Sequence, residues 1–321
     1  MAMKCAWIST PKRKSAPGMA SETRPFLKMN GLGNDFVVWD AREKPLRLTK
    51  DQIAKLGDRE HGIGFDQMIT VERSTCGVDA FMRIHNSDGG QVDACGNATR
   101  CIGRLLMEES TKDLVTIETN AGLLHAFDAA GLRNVTVDMG KPRLDWDQIP
   151  LAEEFADTRA IELQIGPIDE PVLHTPAVVN MGNPHAIFWV KDVEAYDLAR
   201  VGPLLERHPI FPEGANISLA HVFDDNQIRV KVWERGAGLT LACGTAACAV
   251  GVAAARDDKT GRKTTIHLPG GPIGIEWRER DGHVLMTGLT EVEFEGEVDL
   301  ETLTWRKTAG GDAPLEAGAA S

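Results

Sequence analysis

Short stretches of alternating apolar and polar residues dominate the chain. Glycine-rich turns break them, and only a few segments carry helical spacing. Residues 26–40 read as strand, glycine turn and strand around Asn30-Gly31-Leu32-Gly33-Asn34. Leu48 to Leu56 has helical spacing, and His61-Gly62-Ile63-Gly64-Phe65-Asp66-Gln67 is a second glycine turn feeding a strand at Met68–Glu72. A strand at Ala80–Asn86 follows, then a helix over Thr99–Glu109. Val115–Thr119, Leu123–Asp128 and Asn134–Met139 alternate as short strands of an antiparallel sheet. Residues 140–165 are irregular and acidic, with Pro142 and Pro150, and place a domain boundary near residue 140. Beyond it, Val178–Phe188 is again strand, glycine turn and strand. Strands at Ile217–Phe223 and Gln227–Trp233 precede a helix over Ala247–Arg256, and strands at Thr264–Leu268, Ile273–Trp277 and Val284–Thr287 come after it.

The two halves share a register. Ala94-Cys95-Gly96-Asn97-Ala98 returns as Ala242-Cys243-Gly244-Thr245-Ala246, an offset of 243 − 95 = 148, and Gly33-Asn34 returns as Gly182-Asn183, an offset of 183 − 34 = 149. Unrelated motifs would rarely keep one spacing over both halves, so the pattern implies internal duplication. Each cysteine phrase follows a glycine-bearing loop and precedes a helix. Cys95 and Cys243 are therefore expected at or just before a first helical turn, beside backbone N–H groups that have no intrahelical acceptor. Two such sites, one per half, would face each other across a shared cleft.

Composition narrows the class without changing this picture. The 321 residues suit about two domains, and 42% hydrophobic with 26% charged residues describe an ordinary globular chain. A net charge of −12 argues against nucleic acid, whose binding rests on Lys and Arg contacts to phosphate. It leaves an anionic small molecule open, because one arginine and a helix end reverse the sign locally. No apolar run is long enough for a membrane span, and no signal-peptide core precedes the first motif, which gives a cytoplasmic reading with the six cysteines as thiols. The spacings Cys95/Cys101 and Cys243/Cys248 suit no metal site, and none is expected. Residues 1–24, with Pro11-Lys12-Arg13-Lys14-Ser15, read as a disordered solvated tail in which Met19 offers an internal start. Residues 306–321 read as a second disordered tail.

The chemistry that suits two helix-end cysteines is proton transfer at an α-carbon. Inversion needs a base on one face and an acid on the other, and the cysteine thiol/thiolate pair serves both roles near neutral pH. Helix N–H groups behind each cysteine would hold the reacting carboxylate and take up its developing charge. Isolated cysteines are ordinarily packing residues, and that reading is kept for Cys76, Cys101 and Cys248. Asn34, Gln67, Asn86, Asn183, Asn216, Glu234 and Arg235 stand in turns between strands. Asn34 and Asn183 serve equally well as turn formers beside glycine. Arg235 suits a second carboxylate, with a surface ion pair as the alternative. His185 reads as support for Glu234 or a cysteine, with a histidine merely satisfied in place as the alternative. Gly31-x-Gly33 lacks the third glycine and the helix of a dinucleotide loop. A pyridoxal-phosphate racemase is disfavoured, since no phosphate cradle is visible and the only tyrosine, Tyr196, lies in an acidic segment read as exposed. A catalytically inactive binding protein for a diamino diacid is the alternative from another class.

These phrases together resemble the diaminopimelate epimerase family over about residues 26–300. They are Met29 to Phe36, Gly62 to Gln67, Asn86-Ser87-Asp88-Gly89 running into Cys95-Gly96-Asn97, Gly182-Asn183-Pro184-His185, Gly214-Ala215-Asn216, and Trp233-Glu234-Arg235-Gly236 through Ala242-Cys243-Gly244-Thr245. The resemblance implies an α/β (α+β) fold of two pseudo-symmetric lobes, each a curved mixed or antiparallel sheet around a central helix. Residues 25–139 plus 289–305 would form the lobe carrying Cys95, and residues 140–288 the lobe carrying Cys243. It implies a cofactor-independent epimerase interconverting LL- and meso-diaminopimelate, in the lysine and peptidoglycan pathway. By that likeness Cys95 and Cys243 are the acid/base thiols. Gly96, Asn97, Gly244 and Thr245 would hold the reacting carboxylate and amine. Asn34, Gln67, Asn86, Asn183, Asn216, Glu234 and Arg235 would read the rest of the substrate, with His185 in support. The expected partner is a small diamino diacid, with a second copy of the chain as a candidate homodimer partner. Two departures stand out: Gly90-Gln91 replaces the family's usual Ser-Glu, and Ala98 and Ala246 replace glycine. Both fall on backbone roles and bear on loop geometry and rate. The nearest rival is a proline or hydroxyproline racemase of the same fold, whose substrate has no second carboxylate for Arg235. The branch of the fold that lacks the cysteine pair is argued against by the two Cys-Gly phrases.

Overall fold

The computed structural model describes residues 22–129, 131 and 133–312. Cys5, Met19, the first 21 residues of the tail expected over residues 1–24, and residues 313–321 lie outside them. The chain divides into two compact units. One comprises the residues up to Val135 together with those from Leu289 onward, and the other is Thr136–Gly288. The first boundary falls inside the strand Asn134–Asp138, where Thr136 Oγ1 meets Thr287 Oγ1 at 2.7 Å.

In the first unit the strand Thr23–Gly31 turns through Leu32 (φ 63°) and Gly33 (φ 85°) into Asn34–Asp40. This is a two-residue hairpin whose second turn position suits glycine. Thr23–Gly31 also pairs antiparallel with Glu291–Asp299, which in turn pairs with Trp305–Gly310. Asn34–Asp40 runs parallel to Gln67–Glu72, and Gln67–Glu72 antiparallel to Ala80–Asn86. Ala80–Asn86 then lies parallel to Leu114–Thr119, which forms a hairpin with Gly122–Asp128. The sheet is thus mixed, because helices bridge the two parallel steps. Helix α1 (Lys50–Gly57) begins with a reciprocal capping box between Thr49 and Gln52. Helix α2 (Gly96–Ser110) is buried on every side from Asn97 to Met107. Phe26, Trp39, Ile53, Leu56 and Phe65 form a further core under α1, each side chain contributing about 1.5–3 kcal/mol by leaving water.

The second unit repeats the plan. Ala177–Asn180 turns into Pro184–Trp189, which runs parallel to Asn216–Asp224. That strand pairs antiparallel with Gln227–Glu234, which lies parallel to Lys263–Leu268. Gly271–Trp277 and Val284–Leu289 complete the sheet. Helix α3 (Leu198–Glu206) sits in the crossover where α1 sits in the first unit, and α4 (Gly244–Arg256) corresponds to α2. Its Ala- and Val-rich residues 246–254 are all buried, as expected of a helix apolar all round. Phe188, Leu198, Leu205, Ile217 and Leu219 pack beneath α3, with Trp146, Tyr196 and Trp233 against them.

The duplication reaches the register of strand pairing. Phe36 faces Gln67 in the first unit and His185 faces Asn216 in the second, each pair displaced by 185 − 36 = 216 − 67 = 149. The close approach of each central helix to its sheet is repeated as well. A Cβ on Gly103 would lie 2.5 Å from Ala126 Cβ, and one on Gly251 would lie 2.7 Å from Ile275 Cγ2. These two glycines are 251 − 103 = 148 apart.

The structure corrects several expectations. Residues 306–312 are not a disordered tail. Trp305–Gly310 is a strand, and Asp312 forms a half-buried clamp to Arg104 at 2.7 and 3.0 Å. At the other end the first strand opens at Thr23, inside the tail expected to run to residue 24. Cys76 is exposed rather than packed, because it lies in the bend at residues 75–79, beside Gly77 (φ 80°). Tyr196, read as exposed, is half-buried against the second core.

Candidate active site

In the first unit three strand ends bring together three of the polar residues singled out above. Asn34 opens one strand, Gln67 opens its parallel neighbour, and Asn86 closes the next, directly across from Gln67. Gln67 Nε2 donates to Asn86 Oδ1 at 3.1 Å. Cys95 is the N-cap of α2, with extended backbone (φ −149°, ψ 115°), and its side chain makes no cap bond to the helix. The sulfur instead lies 3.8 Å from Asn34 Oδ1, which also receives Asn97 Nδ2 at 3.4 Å. Gly96 is the first helical residue, and the first intrahelical bond runs from Thr99 N to Cys95 O at 2.9 Å. The N–H groups of Gly96, Asn97 and Ala98 are thus the donors this helix end leaves without an intrahelical acceptor.

Asn34 is held from behind. Its Nδ2 donates to Asp66 Oδ2 at 2.9 Å, which turns Oδ1 toward the thiol. Asp66 also accepts Arg59 Nη2 at 2.7 Å and the backbone N–H of Asp35 at 3.1 Å. Asp35 pairs in turn with Arg59 and with buried Lys28. Burial alone would raise the Asp35 carboxyl, but Arg59 and Lys28 hold it well below the ordinary carboxylate range. Sequence reasoning passed over Asp66, although it stands within the phrase Gly62–Gln67.

The second unit builds a comparable site from different chemistry. Cys243 caps α4 with extended backbone (φ −127°, ψ 106°), and its sulfur lies 3.6 Å from Thr245 Oγ1. Burial pushes this thiol well above its ordinary pKa and the Glu234 carboxylate pushes it further. The Thr245 hydroxyl and the Ala246 N–H pull the other way. A helix end alone favours a thiolate, but here loss of water outweighs it. Glu234 accepts the Thr240 hydroxyl, and Thr240 was not foreseen from the sequence. Cys101, by contrast, is fully buried along α2 with its thiol pushed up to about 12 by burial, and Cys248 is buried along α4.

Arg235 is exposed, and its backbone and side chain are both tied down. Its N–H donates to Asn216 Oδ1 at 3.0 Å and its Nη1 to Glu213 O at 2.7 Å. Asn216 is 2% exposed, and its Nδ2 donates to Pro184 O at 2.9 Å. Both ends of its amide are therefore engaged in holding backbone beside Arg235. His185 departs from expectation: its Nε2 meets Asn183 Oδ1 at 2.8 Å, not Glu234 or a cysteine. The ring is completely buried, so loss of water, with Arg235 nearby, lowers its pKa to about 3 and keeps it neutral. Asn183 thus gains a fixed amide, with Gly182 (φ 98°) making the turn before it. Among the described residues no group of three His, Cys, Asp or Glu is placed to hold a metal ion, and no helix is long and apolar enough to cross a membrane.

The chain matches the family model described as diaminopimelate epimerase over residues 26–144 and 177–292. It is 55% identical to the diaminopimelate epimerase of Afipia carboxidovorans over 275 residues, 85% of this chain and 94% of that one. With the diaminopimelate epimerase of Brucella anthropi it shares 54% identity over 299 residues, 92% of this chain and 98% of the relative. Among solved structures, a phenazine biosynthesis protein of the PhzF family from Bacillus anthracis superposes with a TM-score of 0.61 at 18% identity, covering 86% of this chain and 99% of that one. A hydroxyproline epimerase from Agrobacterium vitis gives 0.58 at 14% identity, covering 86% and 92%. At those identities the two structures speak for the fold.

Proposed function

The chain belongs to the diaminopimelate epimerase family, and from that premise we propose that it interconverts LL- and meso-diaminopimelate by proton transfer between the α-carbon and two thiols, Cys95 and Cys243. The observation that carries the reading is the repeated helix end. In each unit a cysteine caps a buried central helix without spending its side chain on the cap, at positions one duplication offset apart.

In one direction one thiol acts as base and its counterpart returns a proton to the opposite face of the α-carbon; in the other direction the roles exchange. The thiol is the resting form of Cys243, which suits it to be the acid in the direction in which Cys95 takes the α-proton. Once charged, it is steadied by the Thr245 hydroxyl and the Ala246 N–H. The N–H groups of Gly96, Asn97, Gly244 and Thr245 take the reacting carboxylate as it gains charge. Arg235 takes the distal carboxylate in a bidentate pair, with Glu234, Asn183, Gln67 and Asn86 reading the amino groups. Asn34 orients the Cys95 thiol, and Asn216 and His185 act through Arg235 and Asn183. No residue in this scheme requires a metal or pyridoxal phosphate.

We place the enzyme in the cytoplasm, where its cysteines stay reduced, and name a second copy of the chain as its candidate partner; sedimentation at micromolar concentration tests the latter. The reaction is tested by incubating reduced enzyme with LL-diaminopimelate in D₂O. Deuterium at one α-carbon with accumulating meso product is expected. Exchange with proline or hydroxyproline instead would overturn the assignment, since neither offers Arg235 a second carboxylate.

A further inference from the structure

A buried carboxylate outside every motif above lies directly behind the Glu234–Arg235 pair. Glu206, the last residue of α3, is 9% exposed, and among the described residues no cation lies within ion-pair distance of it. Its Oε2 accepts the Trp233 indole N–H at 2.6 Å and its Oε1 accepts the Gly236 N–H at 3.1 Å. The two donors flank Glu234 and Arg235 on either side in the chain. Its backbone carbonyl accepts Ala215 N at 3.1 Å, one residue from the Asn216 side chain that holds Arg235 N.

The backbone at Gly214 (φ 72°) runs between the two. A Cβ there would lie 3.1 Å from Arg235 Cδ and 3.2 Å from Glu206 O, so this left-handed glycine leaves room for the arginine side chain against the backbone. Gly202 does the same for the helix. A Cβ on it would lie 2.5 Å from Trp233 Cγ, so α3 rests on the indole whose N–H its last residue binds.

A buried carboxylate is costly unless its oxygens are hydrogen-bonded, and here the compensation comes from two N–H groups that flank the pair. Both arms must be acceptors. Glutamine offers one acceptor and one NH₂, which would face a donor; an apolar residue would leave both donors unmet. We infer that Glu206 is a positioning residue that fixes where Glu234 and Arg235 are presented to the substrate. Because it works through Arg235 on the distal carboxylate, it sets substrate specificity; this role rests on the function proposed above.

The test uses the full-length enzyme with Glu206→Gln, Glu206→Asp, Arg235→Lys and the Glu206→Gln/Arg235→Lys double variant. With LL-diaminopimelate, Glu206→Gln should raise KM by about tenfold or more with little change in kcat, the mark of lost binding remote from the reacting carbon. Glu206→Asp should recover part of the loss. In the Arg235→Lys background Glu206→Gln should add little, because the interaction it served is already gone. A carboxylate that only stabilised the fold would lower the yield of active molecules and hence the apparent kcat, leaving KM as it was. That result, or full additivity with Arg235→Lys, would overturn the inference. A second measurement is independent of turnover: phenylglyoxal should modify Arg235 several-fold faster in Glu206→Gln than in the parent enzyme. An unchanged rate would also overturn the positioning role. Absence of diaminopimelate turnover by the parent enzyme, with the Arg235 rate still raised, would instead locate the failure in the reaction assignment.

Discussion

Asp312→Ala should loosen the first unit where its final strand is fastened to the helix that carries Cys95. Asp312 accepts Arg104 Nη1 and Nη2 at 2.7 and 3.0 Å and the Val292 N–H at 2.9 Å. The two side chains are 7% and 16% exposed, so the pair is shielded from solvent and salt. Removing one partner of such a pair costs about 3–5 kcal/mol. Arg104 keeps Glu108 at 2.8 Å and the Thr290 carbonyl at 3.2 Å, which places the expected loss near the lower figure. A loss of about 3 kcal/mol is a roughly hundredfold rise in local opening. Hydrogen exchange of peptides spanning residues 291–310, read by mass spectrometry at neutral pH, measures it directly. Acid supplies a second arm. Burial alone would raise the Asp312 carboxyl, but Arg104 and the Val292 N–H hold it at about 2. A carboxylate depressed in the folded state stabilises fully above its unfolded pKa of about 4, and the contribution is lost as pH falls through the folded value. The gap between parent and variant should therefore narrow from pH 4 downward. Unchanged protection of residues 291–310 in the variant would refute the clamp and return residues 306–312 to the status of a tail.

Cys95→Ala and Cys243→Ala should each cut epimerisation by about a thousandfold or more, while Cys101→Ala keeps turnover within a few-fold; steady-state kinetics of the three decide whether the capping cysteines carry the chemistry. Glu234→Gln removes a charge that raises the Cys243 thiol, so the pH of half-maximal alkylation at that residue, followed in a Cys95→Ala background, should move down; a rise would contradict the repulsion between carboxylate and thiolate. His185, neutral in the fold with a pKa near 3, takes up a proton on unfolding below about pH 6.5, so it costs stability progressively as pH falls from there toward 3. His185→Gln should leave the unfolding free energy from urea denaturation at pH 7 within about 1 kcal/mol and flatten its decline toward pH 4. Gly251→Ala, which drives a methyl against Ile275, should cost about 1–3 kcal/mol by urea denaturation.

What the sequence revealed follows the range of the forces involved. The hairpin at Leu32-Gly33 and the helices behind Cys95 and Cys243 were legible because a glycine turn and a helix start are written in adjacent residues. Helix α3 was not, because Gly202 and Pro203 lie inside it and read as breakers, whereas Gly202 is required by the face of Trp233. With α3 unseen, Glu206 had no context. The strand Trp305–Gly310 was hidden for another reason: all but its first residue are exposed, so no alternation marks it, and Arg104, which fastens Asp312 just beyond it, is distant in sequence. His185 finds a different partner because the Asn183 amide, two residues earlier and across the end of the turn, is within reach of its completely buried ring.

The pairing of Thr23–Gly31 with Glu291–Asp299 bears on how the polypeptide is made. The second unit is one uninterrupted run, Thr136–Gly288, and every residue it needs has been synthesised before the first unit receives its final strands. A nascent chain on the ribosome thus carries the Cys95 half with one long edge unmatched while the Cys243 half already has its full complement. Among the described strands, the first to emerge is also among the last to be satisfied.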